Sequence, residues 1–173
     1  MIMPRGQQRL LLPAKPWFIV LSLLLALFVD MLPIGPAPAM PQVAAVVLVF
    51  WNVHQSRRIG VGWAFLLGLL VDVSHGAVLG QHALAYAGLA FTAVSLHRRL
   101  LWFGVLEQAL QVLPLFAMAH LVMVGARLAV GGMAPSPWML LAPVLEAMLW
   151  PLASALLLAP QRRAPSQDAH RPL

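Results

Sequence analysis

Apolar residues gather into long runs, at about 17–32, 41–53, 59–78, 81–96, 112–130 and 137–158. Proline and glycine mark several joints: "PIGPAPAMP" at 33–41, "GG" at 131–132 and "PSP" at 135–137. A helix needs about 20 mostly apolar residues to cross the hydrocarbon core of a bilayer. The pattern therefore predicts an all-α integral membrane protein with six transmembrane helices, the second of them short. The stretch "FGVLEQALQVLP" from Phe103 makes the fifth run longer than one crossing requires. It is expected to begin as an interfacial helix, with Glu107, Gln108 and Gln111 facing headgroups before Pro114 opens the span.

Polar positions test the count. Lys15, Arg57, Arg58, Arg98, Arg99 and the cations of both tails make ten of the eleven Lys and Arg residues. Six crossings place all ten on one side, and the positive-inside rule then makes both termini cytoplasmic. Residues 161–173 form a short basic cytoplasmic tail, and residues 1–160 a single membrane domain. "APA" at 37–39 loosely suits a cleavage site. The long region before the first apolar run and the crowding prolines favour a retained first span.

Composition agrees with the pattern. The chain is 61% hydrophobic and 9% charged over 173 residues, where a soluble domain carries roughly 25% charged residues. The surplus of cations is small and sits at the boundaries, so it is not a nucleic-acid footprint. Cysteine is absent, which excludes disulfides, thiolate metal sites and cysteine nucleophiles.

Ionisable residues within spans are candidates for function, because each is costly in hydrocarbon unless paired or wetted. They are Asp30, Asp72, His120, Arg127 and Glu146. At 1.5 Å per residue, Asp72 lies about 20 Å from the inner end of the third span and Glu146 about 14 Å from Pro137. All of these groups gather towards the outer half. Gly68 and Gly76 stand one turn either side of Asp72, which suits close packing of small residues against a neighbouring helix. Asp72 is expected to be a buried acid satisfied by Arg127, by a hydroxyl or by a backbone amide near Gly76. His120 and Arg127 are seven residues apart on one helical face and could line the same cavity, although a snorkelling arginine at the outer interface is the commoner arrangement. His75 and His82 are expected to be wet at the outer turn, and Pro151 to allow a kink after Glu146. Arg57, Arg58, Arg98 and Arg99 suit anionic lipid or cytoplasmic contacts.

Catalysis finds no foothold in the motifs. The sequence has no HExxH, no GxSxG and no glycine-rich phosphate loop. "GLLVD" lacks the second aspartate that an aspartyl dyad requires. No cofactor or metal is expected.

The segment "FWNVHQSRRIGVGWAFLLGLLVDVSHGAVLGQHALAY" at 50–86 resembles the signature region of the bacterial rod shape-determining MreD family. The residues that carry the likeness include Arg57, Arg58, Gly60, Gly62, Phe65, Gly68, Asp72, Leu79, Gly80, Ala83 and Leu84, with "LWP" at 149–151. The resemblance implies a non-enzymatic inner-membrane scaffold of the elongation machinery, supporting peptidoglycan synthesis and cell shape. It implies an MreC-type single-span partner and, through it, the MreB filament, RodA and the transpeptidase PBP2; it leaves room for a homodimer. Gly62, Gly68, Gly76 and Gly80 would then form helix-packing faces. The family's fold is similar to the substrate-binding S components of energy-coupling vitamin transporters. That likeness supplies an alternative, a membrane subunit that binds a small molecule, although fold analogy does not transfer function.

Overall fold

The computed structural model describes residues 14–32, 40–56, 58–133 and 136–161. Arg57, the 33–39 stretch with its cleavage-site pattern, and the basic tail from 162 onward lie outside them. Six α-helices and no strand occur among the described residues. They are α1 Pro16–Asp30, α2 Val43–His54, α3 Val61–His75, α4 Gln81–Leu100, α5 Val105–Ala129 and α6 Ala142–Leu158. Short 3-10 turns, Pro137–Leu141 and Ala159–Gln161, flank α6.

Helix α2 is the axis of the bundle. Every residue from Ala44 to Val53 is buried, and α1, α4 and α6 pack around it. Helix α4 also meets α3 and α5, and α5 closes against α6. A helix that is apolar on all sides has no face for water, so it takes the centre. The other helices turn large apolar side chains outward: Leu24 and Phe28 on α1, Trp63 and Leu70 on α3, Leu121 on α5 and Leu156 on α6. So extensive an apolar exterior suits lipid rather than water.

Helix lengths divide the bundle. Val105–Ala129 and the run Pro137–Gln161 are each 25 residues long and apolar enough to cross a membrane, reaching about 37 Å at 1.5 Å per residue. Helices α1 and α3 have 15 residues and α2 has 12, which is about 18–22 Å. The third helix ends at His75, before the expected 78, because Gly76 turns left-handed at φ 56°. Ala77 N–H then donates to Asp72 C=O at 3.0 Å and closes the helix end.

The fifth helix corrects the reading of residues 103–114. It is continuous from Val105, with Pro114 inside it rather than at its start. Pro114 removes one N–H, which a membrane helix tolerates. Gln108 does not face headgroups: it is 6% exposed and accepts from Trp150 Nε1 at 3.2 Å. Its own amide donates to Phe103 C=O at 3.0 Å. Glu107 instead receives Gly104 N–H at 3.2 Å, at the helix start.

Candidate functional site

The start of a helix leaves up to four amides without intrahelical partners. Helix α4 follows Gly80, whose φ of 97° only glycine adopts easily, and no local side chain caps it. Asp72 does so from the last turn of α3. Gly80 N–H and Ala83 N–H donate to Oδ2 at 2.8 and 3.3 Å. His82 N–H donates to Oδ1 at 2.9 Å, and His82 Nδ1 lies 2.8 Å from the same oxygen. Asp72 is 1% exposed. Of the partners weighed from sequence, backbone amides hold it and Arg127 does not. His82, expected to be wet, is instead 7% exposed and bound to Asp72.

The start of α2 repeats the device with two acids from two other helices. Val43 N–H and Ala44 N–H each donate at 2.8 Å to the two oxygens of Asp30, at the end of α1. Gln42 N–H donates at 3.0 Å to Glu146 Oε1 on α6. His120 Nε2 on α5 lies 3.0 Å from that same Glu146 oxygen. Tyr86 O–H on α4 donates to the Gln42 side chain at 3.0 Å. Five helices thus meet at one helix start, where carboxylates also suit the positive end of the helix dipole. Glu146 acts here at the start of α2.

Gly68 makes the closest helix contact. A Cβ placed there would lie 2.5 Å from Ala83 Cα and 2.6 Å from His82 C=O oxygen. The absence of a side chain lets α3 and α4 touch backbone to backbone, beside the Asp72 cap. The other expected packing glycines differ. Gly62, Gly76 and Gly80 meet nothing within 4 Å; Gly76 and Gly80 serve the turn through their positive φ instead.

A cavity of about 470 Å³ opens at this end of the bundle. Asp30, His75, His82, His120 and Arg127 line it, so His120 and Arg127 share the one space. Helix α5 delivers Arg127 in its last turn, where the residue is exposed. The opposite end holds Arg58, which donates to Ala14 C=O at 3.0 Å, and Arg98 and Arg99 in the last turn of α4.

Gln42 and Tyr86 join this network in addition to the residues expected from the sequence. A signal for them existed: Gln42 and Gly80 stand where Ser, Thr, Asp or Asn would ordinarily cap a helix. Helix starts without local caps require acceptors from elsewhere in the chain.

These features define a six-helix membrane protein whose interior acids tie helix starts together. The model of the family described as rod shape-determining protein MreD matches residues 13–159. The chain belongs to that family. It is similar to the rod shape-determining protein MreD of Haemophilus influenzae, with 38% identity over 71 residues. That alignment covers 39% of this chain and 44% of the relative. No solved structure matches the chain.

Proposed function

We propose that this chain is a non-enzymatic, multi-pass scaffold of the bacterial inner membrane, acting in the rod-shape machinery that directs peptidoglycan synthesis. In this reading all six helices cross the bilayer. The arginine end and both termini lie in the cytoplasm, and the carboxylate end faces outward. Its partner is an MreC-type single-span protein, through which it is linked to the MreB filament, RodA and PBP2. Arg57, Arg58, Arg98 and Arg99 would anchor anionic lipid at about 1 kcal/mol each. Gly68 and Asp72 are assigned to holding the bundle's shape rather than to the partner interface.

One observation carries this reading: Asp30, Asp72 and Glu146 all accept from backbone amides at helix starts, while the exterior offers apolar side chains to other helices. Family membership supplies the cellular setting. Affinity purification from membranes should recover an MreC-type protein in stoichiometric amount, and depletion should turn rods into spheres. Retention of a vitamin-like ligand, dependence on an ATPase module and unchanged cell shape would replace the scaffold with the transporter subunit.

A further inference from the structure

A groove runs along the outside of the bundle from its arginine end, between α1 and α3. Helix α1 packs on α2 and α3 packs on α4, which leaves a space of about 300 Å³ between them. Its walls are apolar, with Ile19, Val20 and Leu23 on one side and Trp63, Leu66 and Leu70 on the other. Val20, Trp63 and Leu70 are each more than half exposed. No acid lines the space, and its one charged residue is Arg58, at the arginine end.

Arg58 is held in place and still has donors to offer. Its Nη1 donates to Ala14 C=O at 3.0 Å, which fixes the guanidinium beside the start of α1. The residue is exposed and makes no ion pair among the described residues. A guanidinium carries five N–H donors, so one bond to a carbonyl leaves most of them. Lys15, the residue after Ala14, is exposed too and adds a second cation near this mouth.

The dimensions select the occupant. From Ile59 to Leu70 the groove extends about 17 Å at 1.5 Å per residue. That is about half of the ~30 Å hydrocarbon core, or the depth of one leaflet. A volume of about 300 Å³ over that length leaves a mean section of roughly 18 Å², about 4 Å each way. Non-bonded carbons pack at about 3.5–4.0 Å, so the groove admits one hydrocarbon chain. A helix with its side chains is ~10–12 Å across, too wide to enter.

We propose that this groove holds one acyl chain of an anionic phospholipid, with the lipid phosphate on Arg58. The site deepens the reading of the arginine end as cytoplasmic, and it rests on that reading for the leaflet concerned. A guanidinium fork suits phosphate oxygens. A headgroup with a cation of its own gains less here, because Lys15 opposes it, whereas phosphatidylglycerol brings none. Basic residues at a membrane surface attract anionic lipid loosely; this site instead fixes one head and one chain. The lipid fills the gap that α1 and α3 leave unpacked.

The test uses the full chain purified in detergent, with bound lipid counted by native mass spectrometry. Phosphatidylglycerol and phosphatidylcholine are titrated separately. One phosphatidylglycerol per chain should bind ahead of any others, and phosphatidylcholine should bind more weakly. Arg58→Gln should weaken that first binding roughly tenfold or more; Arg58→Lys, which keeps the charge, should weaken it less. Val20 is exposed, so Val20→Trp should fill the groove and displace the lipid while keeping the melting temperature. Arg98→Gln, outside the groove, should leave the first lipid unchanged. Equal binding of the two lipids, or binding indifferent to Arg58→Gln or to Val20→Trp, would overturn the proposal. So would a bound protein mass, of a second copy or of a partner, that Val20→Trp releases. The titration needs neither a rod-shape partner nor a sided membrane, so its failure leaves the scaffold reading untouched. Failure to recover an MreC-type protein would equally leave this site untouched.

Discussion

The two ends of the bundle are built on different principles. At one end, carboxylates from α1, α3 and α6 reach across to the starts of α2 and α4. At the other, α2 delivers Phe50 and Trp51, whose ring centres lie 5.1 Å apart; Trp51 meets Phe18 at 5.9 Å and Phe50 meets Trp150 at 6.1 Å. His54 stacks on Phe50 at 4.1 Å, and the arginines stand outside this aromatic packing. Ring packing dominates the arginine end, where Trp51 and Trp150 each also donate one hydrogen bond, to Ser22 and Gln108, and hydrogen bonds to carboxylates dominate the other end. Directed bonds fail one partner at a time and leave orphans, whereas packed rings tolerate adjustment. The carboxylate end should therefore be the more sensitive to single substitutions.

The largest expected effect is at Asp72. Asp72→Leu leaves three amides and one imidazole without acceptors, at about 1–3 kcal/mol for each buried group. Assembled protein should fall to a small fraction of the wild-type level on a size-exclusion trace of detergent extracts. Asp72→Asn keeps one acceptor oxygen and should retain partial assembly. Normal complexes and normal levels for the leucine variant would make the two ends equivalent.

Next comes Gly68→Ala, whose methyl would meet Ala83 backbone at 2.5 Å. Overpacking of this kind costs about 1–3 kcal/mol, and the thermal midpoint in detergent should drop accordingly. An unchanged midpoint would mean that α3 and α4 part without penalty. Asp30→Asn comes third: it keeps an oxygen but loses charge at a helix start, at about 1 kcal/mol. Melting curves should separate it from wild type by a few degrees. Arg99→Gln is expected to be smallest, within about 0.5 kcal/mol. Lipid-binding assays should register it instead, as weaker retention of anionic vesicles. A large stability loss there would reverse the comparison.

The sequence exposed the helical class, the six segments and the gathering of acids towards one end, because those rest on apolar runs and their interruptions. It also placed Gly68 beside Asp72 on a packing face. The partners were harder to read. Glu146 meets Gln42 across 104 positions, and no local spacing encodes that distance. His82 lies ten residues from Asp72, close enough to suspect, yet its polarity suggested water. The continuous α5 departs from the expected pattern because Pro114 and Gln108 are ordinary stop and surface signals. Each is accommodated here by tertiary surroundings: an exposed position for the proline and Trp150 for the glutamine.

The contact at Gly68 bears on how the chain enters a bilayer. Helices α3 and α4 are joined by a short turn whose amides are already satisfied by Asp72. A bare helix start carries several unmet N–H groups, and each costs several kcal/mol in hydrocarbon. If all six helices cross the bilayer as proposed, then with Asp72 folded over them and the two backbones in contact the pair would travel as a closed hairpin. Its tip would cross the membrane with its polar groups turned inward on one another. The same aspartate that holds the finished bundle would thus ease its translocation, and its loss would be felt during biogenesis before any partner is met.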